Sequence, residues 1–96
     1  MKDFEYHPQA IVEWVAASHY YKKQNPRTLA RFETEFEQTL AWIAQFPETW
    51  PLVSDITRKC QIKHFPYTVF FQIKPDSLVI IAITHQKRHP DSWRTR

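Results

Sequence analysis

Glycine is missing from the 96-residue chain, where ordinary usage would place about seven. That absence excludes whole classes of chemistry. Walker-type phosphate loops, dinucleotide-binding turns and nucleophile elbows all need glycine, because the backbone must turn tightly or approach a ligand closely. Cysteine is nearly absent too. The single Cys60 cannot form an internal disulfide, which points to a reducing cytoplasm. Long apolar runs are lacking as well: Leu78 to Ile83 is the longest, far short of a bilayer span. Met1 to Glu5 does not read as the start of a signal peptide. The expectation is one cytoplasmic domain, residues 1–96, with no cofactor and no membrane association.

What is present is enough for one core. Apolar residues make up 43% of the chain and aromatic residues 16%, and a chain this short buries little more than ~60% of its unfolded surface. The net charge of +3 is unevenly spread. Residues 1–56 carry eight acids and five bases; residues 57–96 carry eight bases and two acids. Such asymmetry fits a second half that meets an anion, either nucleic acid or an acidic protein. Clustered solvated charge would look the same.

Periodicity orders the chain as β-α-α-β-β-β. Phe4-Glu5-Tyr6 reads as a short edge strand ended by His7-Pro8. Proline suits a first helical turn, and Ile11, Trp14, Val15 and Tyr21, with Ala17 and Ser18, recur at helical spacing as the expected buried stripe. Asn25-Pro26 starts a second helix with Asn as N-cap; its stripe is Leu29, Phe32, Phe36, Leu40 and Ile43, and Phe46-Pro47 ends it. Residues 47–57 read as a loop, with Trp50 as a plug over the core edge.

Three strands follow: Arg58 to Phe65, Tyr67 to Lys74, and Leu78 to Thr84. The last is nearly all apolar, as expected of a central strand covered on both faces. Pro75-Asp76-Ser77 reads as a three-residue hairpin loop. The register would then set Ile73 opposite Val79, Phe71 opposite Ile81, Val69 opposite Ile83 and Tyr67 opposite His85. A polar tail closes in a helical turn opened by Pro90. The fold class is α+β: an N-terminal helical hairpin packed on one face of a mainly antiparallel sheet.

Two constellations could carry chemistry. Period-two spacing puts Lys59 and Lys63 on the outward face of one strand, with Arg58 beside them. Such a stripe could meet a phosphate backbone or merely keep the strand soluble. The expected register also brings Tyr67 and His85 together at a strand end, next to Lys87 and Arg88. A phenol, an imidazole and two cations are groups that RNA cleavage by 2′-hydroxyl attack could use. A capping histidine bonded to the tyrosine is the structural alternative. Metal binding is not expected. Cys60-x3-His64 and His85-x3-His89 resemble zinc spacing on paper, but Cys60 and His64 lie four residues apart on one strand, roughly 13 Å, too far to share an ion. Cys60 itself falls on the apolar side, as inert packing.

Several segments together resemble a known family. They are Asn25-Pro26 leading into Leu29-Ala30-Arg31-Phe32-Glu33, Leu40 to Phe46-Pro47, Arg58-Lys59-Cys60, and Phe65-Pro66-Tyr67-Thr68-Val69-Phe70-Phe71. The ending Ile81-Ala82-Ile83-Thr84-His85-Gln86-Lys87-Arg88-His89-Pro90-Asp91-Ser92-Trp93 completes the pattern. The whole resembles the ParE-like, or plasmid-stabilisation, branch of the RelE/ParE toxin superfamily. The resemblance implies the toxin half of a type II toxin–antitoxin pair in a bacterial cytoplasm. A small cognate antitoxin would wrap it with a helix and an extended segment, and without antitoxin a homodimer could form. ParE-like toxins poison DNA gyrase by binding; RelE-like toxins cut messenger RNA in the ribosome with basic residues and sometimes a terminal tyrosine. No tyrosine follows His85 here, which favours the binding mode. The ribonuclease reading, with His85, Arg88, Lys87 and Tyr67 as its candidates, is the alternative; a degenerate non-toxic antitoxin-binding module is the third. Arg58, Lys59, Lys63, Lys87 and Arg88 are the expected contacts for target or antitoxin, with an acidic antitoxin segment over Lys59, Lys63, Lys87 and Arg88.

Overall fold

A computed structural model describes residues 3–88 and 91–96. The element order is β1 (Asp3–Tyr6), α1 (Pro8–Gln24), α2 (Pro26–Gln45), a 3-10 turn (Pro47–Thr49), β2 (Thr57–Gln61), β3 (Tyr67–Ile73) and β4 (Ser77–His85). The four strands lie in the order β1-β4-β3-β2. β1 runs parallel to β4 and the other two pairs are antiparallel. The α+β architecture is therefore the one the periodicity implied.

The helical hairpin turns on one residue. The N–H of Asn25 donates to Tyr21 O at 3.0 Å and closes α1. Its side-chain Oδ1 accepts from Arg27 N–H at 2.8 Å and opens α2. Proline in the next position needs no partner for a missing N–H, so a two-residue signal suffices for a reversal without glycine.

α2 buries Phe32, Phe36 and Ile43, with Leu29 and Leu40 packed beside them, as its spacing required. α1 does not follow its expected stripe. Ile11 is 50% exposed and Val15 47% exposed. The buried positions are Ala10, Glu13, Ala17 and Tyr21, with Trp14 stacked on Phe32 and Phe36 at ring distances of 5.1 and 4.4 Å. Small Ala10 and Ala17 let α1 approach β4 closely, which turns the two β-branched residues outward.

The β3–β4 hairpin matches the expected register at its far end only, because its loop is Pro75-Asp76 and not the expected three residues: Ser77 already belongs to β4, and Lys74 N–H donates to Ser77 O at 2.9 Å. Tyr67 pairs with His85 and Val69 with Ile83, but Phe71 pairs with Ile80 and Ile73 with Leu78. A bulge between Phe70 and Phe71 absorbs the difference by giving β4 the extra residue Ile81. The alternation of β4 therefore resets midway. Leu78, Ile80 and Ile83 join Val69 and Phe71 in the core beneath the helices; Ile81 and Ala82 join Phe70 and Trp93 in a second cluster on the outer face. The nearly continuous apolar run of this strand is thereby explained. The strand expected from Arg58 to Phe65 stops at Gln61, because the chain reverses there: Ile62 N–H donates to Tyr67 O at 2.9 Å, and His64 takes a positive φ of 69°. Lys63 thus lies in a turn, off the strand face it was expected to share with Lys59.

Candidate functional site on the outer sheet face and strand end

Beyond Ile80, β4 outruns β1 and loses its parallel neighbour. Backbone groups so exposed need other partners. Glu13, projecting from α1, supplies one: its Oε1 accepts the N–H of Ile83 at 3.0 Å. Arg96 supplies the other, with Nη1 donating to Ile81 O at 3.1 Å. The same guanidinium grips the Glu13 carboxylate, Nη1 to Oε1 at 2.6 Å and Nη2 to Oε2 at 2.9 Å. Arg88 adds Nη1 to Oε2 at 2.8 Å. The buried carboxylate is thus both paired and fully bonded, the condition under which burial of charge is tolerated.

Arg96 brings the C-terminal segment back against the sheet. Trp93 stacks on Phe70 with ring centres 5.2 Å apart, and Arg94 lies over the Trp93 ring at 4.7 Å while its Nε donates to Asp91 at 2.6 Å. Between this segment and the strands lies an open concavity of ≈ 630 Å³. Val53, Phe70 and Trp93 form its apolar lining; Lys59, Arg88, Arg94, His85 and the single acid Asp91 stand around it, with Gln61, Thr68, Thr84 and Gln86.

The expected site residues separate on this surface. Tyr67 and His85 meet as the register implied, rings edge to face at 5.2 Å. Tyr67 also touches Tyr21 and Phe32, and burial among these rings raises its phenol pKa. Nδ1 of His85 accepts the N–H of Lys87 at 3.0 Å, so Nε2 is the nitrogen left for a proton or a partner. Lys59 and Arg88 line the concavity. Lys63, Lys87 and Arg58 do not. Arg58 instead donates to the backbone oxygens of Glu48 at 3.1 Å and Trp50 at 2.7 Å, fastening the loop that carries the expected Trp50 plug.

Glu13, Arg94 and Arg96 were not anticipated. A signal for Glu13 existed: it is the single formal charge between Pro8 and Tyr21, and it falls at helical spacing from Ala10 and Ala17. Nothing local marks Arg94 or Arg96. Cys60 is buried, and burial pushes its thiol up to about 11, in keeping with inert packing. No group of three or more His, Cys, Asp or Glu side chains among the described residues could hold a metal ion. His89 and Pro90, which entered the spacing and turn arguments, lie outside the described residues. No helix among the described residues is long and apolar enough to cross a membrane.

Comparison with known proteins adds three findings. The family model for the ParE toxin of the type II toxin–antitoxin system, parDE, matches residues 4–90. Among solved structures, a chain of the chromosomal ParDE TA system from P. aeruginosa superposes with a TM-score of 0.74 at 15% identity, covering 88% of this chain and 96% of that one. At such identity the likeness is one of fold. No curated protein matches in sequence.

Proposed function

Because this chain belongs to the ParE toxin family of type II toxin–antitoxin systems, we propose that it arrests bacterial growth by binding an essential target, DNA gyrase, and is silenced by a small cognate antitoxin. One observation carries the choice of binding over catalysis. Two of the four strand-end groups on which a phosphodiester-cleaving centre would draw, Arg88 and Tyr67, have partners within the fold. Arg88 is paired to buried Glu13, and Tyr67 packs among core rings with its phenol pKa raised, so it is a poorer proton donor. The concavity offers a cationic, aromatic-lined surface, which suits recognition of a large anionic partner.

A second reading, ribosome-dependent messenger-RNA cleavage, draws on the contact between Tyr67 and His85 beside Lys59 and Arg88. Induced expression separates the two. Gyrase poisoning gives DNA breaks and the SOS response, and arrest survives His85→Ala combined with Arg88→Ala. Early loss of translation, relieved by that double variant, would overturn the binding reading in favour of the ribonuclease. Unaffected growth would leave an antitoxin-binding module. The antitoxin is expected to lay an acidic segment over Lys59, Lys87 and Arg88, with Lys63 outside that contact; a complex in which this surface stays bare would refute the placement.

A further inference from the structure

The outer-face concavity carries more positive charge than the fold itself uses. Glu13 lies between two guanidiniums, Arg88 and Arg96, so that trio keeps one net positive charge. Arg96 alone reaches both carboxylate oxygens and is nearly buried, whereas half of the Arg88 side chain is exposed and it lines the concavity. Arg88 can therefore turn to another anion while Glu13 stays satisfied. Arg94 is offset by Asp91. Lys59 has no ion-pair partner among the described residues. The concavity thus holds two uncompensated positive charges, one at Arg88 and one at Lys59.

Between those charges the sheet presents hydrogen-bond donors. The cross-strand register lines up Gln61, Thr68 and Thr84, one each from β2, β3 and β4. Adjacent strands lie ~4.8 Å apart, so the row spans roughly 10 Å. Lys59 stands two residues from Gln61 on the same face, roughly 7 Å along β2. The apolar part is small by comparison. Phe70 is 8% exposed and Trp93 6%, because the two rings stack on each other and Arg94 lies over Trp93. A protein partner needs apolar or aromatic anchors at the centre of its interface, and this surface has little room for them. Hydroxyls, amides and cations together match phosphate oxygens, which are charged and only accept.

We propose that the concavity seats the sugar–phosphate backbone of a nucleic acid, gripped by Lys59, Arg88 and the row Gln61, Thr68 and Thr84. The proposal rests on gyrase binding as the mode of action and deepens it. The anion met at this face is the DNA that the target enzyme holds, and not an acidic stretch of its polypeptide. Phosphate contacts fix position without reading sequence, and Phe70 and Trp93 are too covered to stack a base. Recognition is therefore independent of base sequence. RNA offers the same phosphate chemistry, and the test separates the two.

The test titrates the full chain against a fluorescent DNA duplex of about 20 base pairs, and against an RNA strand of equal length, at several salt concentrations. Two neutralising cations predict that the logarithm of the binding constant falls against that of salt with a slope of about −1.8 on the duplex. Lys59→Gln and Arg88→Gln should each make that slope shallower by about 0.9 and weaken binding at low salt. Lys63→Gln and Lys23→Gln, at exposed positions outside the concavity, should leave the slope unchanged. Thermal melts confirm that the variants are folded. No binding to the duplex, a slope unmoved by Lys59→Gln, or an equal loss in Lys63→Gln would overturn the seat. Equal binding by a labelled polyglutamate of the same charge would overturn it in favour of an acidic protein segment. Binding confined to RNA would overturn the assignment to DNA. Neither gyrase nor a growing cell enters the titration, so it can fail while the chain still poisons gyrase, and succeed with a chain that arrests nothing.

Discussion

Arg96 holds Glu13 through both ends of its guanidinium, at 2.6 and 2.9 Å, with its own side chain only 8% exposed. The pair joins residues 83 positions apart. It ties the first helix to the C-terminal segment and at once satisfies the backbone of Ile81 and Ile83. Two side chains therefore perform the work of the strand residues that β1 lacks.

Glu13→Ala should cost about 3–5 kcal/mol, because it leaves a buried guanidinium and the Ile83 N–H without partners. Arg88→Ala should cost less than about 1 kcal/mol, since half of that side chain is in water and its pair is screened. Urea unfolding of the two variants checks the order. Equal losses would show that the network is not the anchor described.

Cys60 should be unreactive in the folded protein. With its thiol pushed up to about 11, about one molecule in a thousand carries the thiolate at pH 8, and the side chain is buried besides. The folded value exceeds the unfolded one of ~8.5, so this contribution is intact below that pH and is lost as pH climbs toward 11. The urea midpoint should fall between pH 8.5 and 10.5, and less so in Cys60→Ala. Rapid modification by a thiol reagent in native buffer would contradict the burial.

The two sides of α1 should respond oppositely to substitution. Ile11→Ser removes an exposed group and should change stability by no more than about 0.5 kcal/mol. Ala10→Leu forces volume into a fully buried position and should cost about 1–3 kcal/mol. Thermal melts of both variants decide between this orientation and the one that hydrophobicity alone suggests.

His64 is the one described residue with positive φ. A side chain in that conformation carries a steric cost that glycine avoids, offset in part by the extra freedom of glycine in the unfolded chain. The exposed contact of His64 with Glu35 at 3.5 Å contributes little. His64→Gly should raise stability by about 0.5–1 kcal/mol. A loss in chemical denaturation would show that the Glu35 contact outweighs the strain.

Much of the fold was legible because it rests on local rules. Asn25-Pro26 caps one helix and begins the next; the spacing of Phe32, Phe36 and Ile43 defines a buried face; proline with asparagine or aspartate marks the reversals in a chain without glycine. Tyr67 and His85 meet as expected only because the bulge at Ile81 offsets a hairpin loop one residue shorter than the assumed Pro75-Asp76-Ser77. Three features were not legible. The buried side of α1 was settled by how closely β4 approaches, which favours Ala10 and Ala17 over larger neighbours. The bulge at Ile81 depends on two clusters, one on each sheet face, claiming residues of the same strand.

The role of Glu13 depends on β1 ending four residues into its pairing with β4. The chain by itself determined the elements, their order, the core of α2 and the lack of any loop built to cradle a nucleotide, because these follow from conformational preferences of neighbours a few residues apart. Only the tertiary structure decided which acid is buried and which cations are engaged in the fold. Those are questions of unsatisfied backbone groups and charge, and their answers come from residues as distant as Glu13 and Arg96.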